Sequence, residues 1–79
     1  MKAKPLEQLN NIYLIERYYK QLDHVEYLVC SNYNFKSNTY STGIKIISLP
    51  MAYDIYNKYV NTGILGKEEF ENGNVEESD

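Results

Sequence analysis

The 79-residue chain has no tryptophan, a single cysteine, a single histidine, two prolines and four glycines. With Cys30 alone, no intrachain disulfide can form, and an isolated thiol fits a reducing compartment. One histidine without neighbouring thiols excludes the usual zinc-ligand spacings. The glycines stand singly, so there is no phosphate-cradling loop. No apolar run approaches the ~20 residues of a membrane span. The opening Met1-Lys2-Ala3-Lys4-Pro5 does not lead into a signal-peptide core, and there is no Asn-x-Ser/Thr sequon. These absences predict a cytoplasmic protein with no membrane partner and no cofactor. Arginine is scarce as well: Arg17 is the only one, and the lysines are spread thinly, which makes nucleic acid an unlikely partner.

What is present is tyrosine and asparagine, nine of each. AT-rich coding accounts for part of this, and large rigid contact area with a polar tip is the functional alternative. The net charge of −3 is unevenly placed. Through Thr62 there are seven basic and five acidic residues, a balance of +2. From Gly63 onward Lys67 stands against six acids, a balance of −5.

Pro5 suits the first turn of a helix. Leu6, Leu9 and Tyr13 form one stripe at helical spacing, and Ile12, Ile15, Tyr19 and Leu22 a second, so a helix is predicted from Pro5 to about Leu22. At His24 the period changes to two. Val25, Tyr27 and Val29 alternate with Glu26, Leu28 and Cys30 as a strand. Residues 31–38 are polar and turn-like around Tyr33 and Phe35, and residues 39–47 alternate again. Ser48 as N-cap, Pro50 in the first turn and Gly63 as the left-handed stop define a second helix to about Asn61. Phe70 could anchor a further turn over Lys67–Asn72, and residues 72–79 read as disordered.

The expectation is one α+β domain over residues 1–71, ordered helix-strand-strand-helix with a two-stranded antiparallel hairpin, then a disordered acidic C-terminal tail over 72–79. The apolar arc of the second helix covers about 200° of its circumference, wider than one core contact needs. A homodimer would use that surplus, and Tyr53, Tyr56 and Tyr59 are candidate partner-binding residues.

Catalytic chemistry finds little footing. His24, Glu26 and Cys30 share a strand face, but six residues at ~3.3 Å each separate histidine and cysteine by about 20 Å, far beyond dyad reach. Asp23, His24 and Glu26 are too few for a metal. No catalytic residue, cofactor site or metal site is assigned. Tyr27, Tyr33, Phe35, Lys36, Tyr40 and Lys45 could stack bases along the hairpin, although alternating aromatics in a strand ordinarily pack a core. The acids Glu68, Glu69 and Glu71 adjoin Phe70 and could hold a defined spacing. Glu76, Glu77 and Asp79 follow. Such a cluster either solubilises or imitates phosphates on a partner's basic surface.

A short Tyr/Asn/Lys-rich chain with an acidic end resembles the small early host-takeover proteins of phages of low-GC Gram-positive bacteria. Gln21-Leu22-Asp23-His24-Val25 begins like the Gln-Leu-Ser/Asp-Leu-Phe peptides that dock on the replication sliding clamp, with His24 and Val25 in place of the leucine and phenylalanine. It is similar in kind to the clamp inhibitors of Twort-like staphylococcal phages. The resemblance implies a non-enzymatic, protein-binding inhibitor of a host nucleic-acid-processing factor, the sliding clamp among them, acting by acidic DNA mimicry in the host cytoplasm. The alternatives are a small DNA- or RNA-binding regulator using the tyrosine-rich hairpin, and an accessory structural subunit.

Overall fold

A computed structural model describes residues 1–65 in full and residues 75–78 as backbone. The described elements are β1 (Lys2–Leu9), β2 (Ile12–Tyr19), a 3₁₀ turn (Lys20–Leu22), β3 (His24–Ser31), β4 (Thr42–Ile46), α1 (Leu49–Thr62) and β5 (Val75–Ser78). The first four strands form an antiparallel meander in chain order, and β5 extends the sheet along the β4 edge.

The helix-strand-strand-helix expectation is therefore corrected. Residues 2–22 form two strands and a short turn, and the sheet is more than a two-stranded hairpin. The physical reason lies in Ile12–Tyr19, which reads Ile-Tyr-Leu-Ile-Glu-Arg-Tyr-Tyr. Its β-branched and aromatic residues favour an extended backbone. Because β2 is covered on both faces, it is apolar on both, and the period-two signal that marks a half-exposed strand disappears. Two apparent helical stripes are what such a strand leaves behind.

Asn10-Asn11 makes the two-residue loop between β1 and β2, with Leu9 opposite Ile12 and Asn10 at a φ of 55°. Asparagine tolerates that left-handed conformation, which matches the twist of tight hairpins. Pro5 sits in an edge strand, where a missing N–H is admissible. The register shifts between Pro5 and Glu7, and the intervening Leu6 is half-buried against the core.

Of the two predicted helices, the second is present. Ser48 Oγ accepts from the Met51 N–H at 3.4 Å, Pro50 lies in the first turn, and Gly63 at φ 73° closes the end with its N–H on Tyr59 O at 2.8 Å. The helix lies against β2, β3 and β4. Ala52, Ile55 and Tyr56 meet Leu14, Val29, Ile44 and Ile46. Each fully buried leucine, isoleucine or valine there contributes about 1.5–3 kcal/mol. Packing against three strands uses the wide apolar arc of α1, so the arc no longer calls for a second copy of the chain.

Where a disordered tail was expected over 72–79, residues 75–78 form β5, with Val75 opposite Ile46 and Ser78 opposite Gly43. Residues 66–74 and 79, including the predicted turn around Phe70, lie outside the described residues.

Candidate functional site

Period two divides the sheet into a face under α1 and a face turned away from it. On the second face Ile15, Leu28 and Cys30 are wholly buried, although no helix covers them. The cover is the β3–β4 loop, whose Tyr33 is packed in the same cluster with Tyr13 and Tyr40 beside it. Asparagine chemistry shapes this loop. Asn34 Oδ1 accepts from the Lys36 and Ser37 N–H groups at 2.9 and 3.2 Å, and Tyr33 donates its hydroxyl to Asn38 Oδ1 at 2.8 Å. Phe35 meets Tyr33 edge-on with ring centroids 4.7 Å apart, and Tyr40 stacks on Tyr33 at 6.4 Å. Gly43 makes room for that ring: a Cβ there would lie 2.7 Å from Tyr40 Cε2. These rings are turned onto one another and onto the sheet.

Beyond the loop, Arg17 and Glu26 stand directly opposite on β2 and β3. Arg17 Nη2 lies 2.9 Å from Glu26 Oε2, and Nε donates to the same oxygen at 3.1 Å. Tyr19 closes the triangle, accepting from Nη2 at 2.8 Å and donating to Oε2 at 3.0 Å. Burial works to lower the Arg17 pKa, but the Tyr19 hydrogen bond and the neighbouring Glu26 charge outweigh it, and the net direction is up. Burial pushes the Tyr19 pKa up, Arg17 opposes and Glu26 adds, and the net direction is up, which keeps the proton that the triangle uses. Every buried side-chain donor and acceptor among the described residues has a partner. A charge pair so satisfied ties β2 to β3.

The Cys30 thiol is pushed up to about 12 by burial, offset in part by the Arg17 charge, so it is a core residue and not a nucleophile. His24 is exposed at the start of β3, opposite Tyr19, six residues from Cys30 along the strand. Among the described residues no three His, Cys, Asp or Glu side chains group to hold a metal. No described helix is long and apolar enough to cross a membrane.

Of the partner-binding residues proposed from sequence, Tyr56 is buried in the core, and Tyr53 and Tyr59 are half-buried against it. The structure brings these three together, but on the inner side of the helix. Glu68, Glu69 and Glu71 lie outside the described residues.

Among the described residues Leu9, Phe35, Ile47 and Ile64 are exposed singly, and the most exposed large apolar side chain, Leu22, stands at the corner where β2 turns into β3. Lys20–Leu22 form one 3₁₀ turn, and Asp23 follows at φ 47°, its N–H on Lys20 O at 3.2 Å and its Oδ1 accepting from the Tyr18 hydroxyl at 3.2 Å. The turn lifts Leu22 to 74 % exposure, with Met1 47 % exposed nearby. Two shallow depressions flank it. One of about 310 Å³ is lined by Met1, Tyr19, Lys20, Gln21 and Leu22. The other, about 520 Å³, is lined by Met1, Lys2, Tyr18 and Lys20. Sequence reasoning reached Gln21 and Leu22 only through the clamp-peptide resemblance. That segment does not present an extended peptide here, because His24 and Val25 are paired with Tyr19 and Tyr18 in the sheet. Compared with known proteins, this chain matches no family model, no curated protein and no solved structure.

Proposed function

We propose that this chain is a non-enzymatic protein-binding module that acts by occupying a surface of a partner protein, with the β2–β3 corner as its contact. The observation that carries the reading is Leu22, a leucine 74 % exposed at the tip of a rigid turn. Single exposed apolar residues are ordinary. This one adjoins Met1 and two depressions edged by Tyr18, Tyr19, Lys2 and Lys20, the mixture of an apolar anchor with a polar rim that marks interfaces. The narrower form, an inhibitor of a host nucleic-acid-processing factor such as the sliding clamp, rests on the resemblance of Gln21-Leu22 to clamp-docking peptides. Docking in the usual extended form would require the start of β3 to unpair.

The nucleic-acid alternative draws less support. Tyr33 is 6 % exposed and the loop rings contact each other, which leaves Phe35, 43 % exposed, as the loop ring most open to a base. The test compares wild type with Leu22→Asp, a surface change expected to alter stability by less than about 0.5 kcal/mol. A protein retained from a low-GC Gram-positive lysate by wild type, and lost with Leu22→Asp at unchanged melting temperature, supports the reading. Salt-dependent, submicromolar binding of an oligonucleotide by both forms replaces it with the regulator.

A further inference from the structure

We propose that the β2–β3 corner takes an extended acidic segment of a partner protein, two carboxylates meeting Lys2 and Lys20 while an apolar side chain packs on Leu22. The occupant follows from the corner being the contact surface, as proposed above, and from the charges around it. The two depressions share Met1 and Lys20, so Lys2, Lys20 and Leu22 border one continuous surface. Among the described residues, those that line it include two cations and no carboxylate. The neighbouring acids are engaged elsewhere. Glu26 Oε2 lies 2.9 Å from Arg17 Nη2, Asp23 Oδ1 accepts from the Tyr18 hydroxyl at 3.2 Å, and Glu16 stands opposite Lys4. Lys2 stands opposite the neutral Tyr18, and Lys20 opens the 3₁₀ turn between the uncharged Tyr19 and Gln21.

The corner therefore sets positive charge beside an apolar tip, and its complement sets negative charge beside an apolar residue. Phosphate is the other anion such charge could take, and two features disfavour it. The chain's one arginine, the side chain that grips phosphate bidentately, is spent on Glu26. Leu22, 74 % exposed, gains nothing from a phosphate and is matched by apolar surface. Side chains of an extended segment return to one face every second residue, about 7 Å apart. Flexible lysine stems adapt to that spacing. The fitting sequence is Glu-Ser-Glu-Ser-Leu, with both acids and the leucine on one face.

The probe is that end-capped peptide, titrated into the ¹⁵N-labelled full chain by NMR, with Gln-Ser-Gln-Ser-Leu as the uncharged control. Amide shifts should centre on Lys2, Tyr18, Lys20 and Leu22, and the acidic peptide should bind about fivefold more tightly than the control. Raising salt to about 0.5 M should erase the difference. Lys2→Glu/Lys20→Glu, a surface change, should weaken the acidic peptide about tenfold or more and prefer Lys-Ser-Lys-Ser-Leu. Equal binding of acidic and uncharged peptides, shifts centred elsewhere, or no binding overturns the proposal. So does a thymidylate oligonucleotide that moves the same amides more strongly, which assigns the lysines to phosphate. Shifts that grow with protein concentration in the absence of peptide overturn it too, since the occupant is then a second copy of the chain. A lysate partner kept by Lys2→Glu/Lys20→Glu but lost with Leu22→Asp sinks the acidic occupant alone. One kept by both variants sinks the corner as contact as well.

Discussion

The two faces of the sheet are closed by different physics. Under α1, Leu14, Val29, Ile44 and Ile46 meet Ala52, Ile55 and Tyr56, a contact of apolar area that tolerates volume-conserving exchange. On the opposite face a loop of asparagines and tyrosines covers only Ile15, Leu28 and Cys30, and the Arg17–Glu26–Tyr19 triangle continues where the loop ends. Its bonds are directional, and each depends on its neighbours. The helix face sets stability broadly. The loop face decides which side chains fit at all, and it leaves Leu22 at the corner uncovered.

The largest effect should come from cutting the triangle. Arg17→Ala leaves Glu26 without its cation in a site where the pair is 8 % and 14 % exposed, and should cost about 3–5 kcal/mol in denaturant unfolding. Arg17→Met with Glu26→Leu should recover most of that, since a packed apolar pair replaces the ions without a buried orphan charge. Failure of the double variant to recover would mean that the triangle contributes net stability and not merely fit.

On the helix face, Leu14→Ala or Ile55→Ala should each cost about 2–5 kcal/mol, with no single partner change able to rescue them. Gly43→Ala sharpens the comparison from the other side. The added methyl must displace the Tyr40 ring, which should cost about 1–3 kcal/mol, and Tyr40→Ala in the same chain should relieve part of it.

How far the sequence announces each face follows the same division. α1 was legible because its signals are local: Ser48, Pro50 and Gly63 act within one turn of themselves. β3 was legible from its alternation. β2 was not, because the second cover, the 32–41 loop, lies far along the chain and makes both sides of Ile12–Tyr19 apolar. β1 was hidden by Pro5, which reads as a helix opener although it sits at a sheet edge. Nothing in Arg17 or Glu26 alone shows that they face each other, since that depends on the β2–β3 register. Of the site, Gln21 and Leu22 stand out in the sequence through a peptide likeness, whereas their exposure follows from a 3₁₀ turn where helical spacing predicts a helix. Tyr53, Tyr56 and Tyr59 belong to the apolar arc of α1, and the sheet packs against that arc.

The last effect is confined to alkaline pH. Burial raises Cys30 to about 12 and moves Tyr33 and Tyr56 in the same direction. Each raised acid keeps its proton in the folded chain after the unfolded chain has lost it, so folding is favoured below the unfolded pKa and progressively disfavoured above it. For Cys30 the window runs from 9.0 to about 12. Melting temperature should be flat up to about pH 9 and fall beyond it, and Cys30→Ala should flatten part of the decline. An unchanged decline would assign it to the tyrosines alone.

Hydrogen exchange at the loop amides tests most directly whether the loop face is as firmly closed as the helix face. Asn34 N–H bonds Thr39 O at 2.8 Å, Asn38 N–H bonds Asn34 O at 2.7 Å, and Ser41 N–H bonds Ser31 O at 3.0 Å. If the loop is part of the core, these amides should exchange with an opening free energy within about 1 kcal/mol of those in β3, and should lose protection with them in Arg17→Ala. Free exchange in the loop while β3 stays protected would contradict the account. The loop would then be a lid, and the face beneath it, not the Leu22 corner, would be the surface the protein uses.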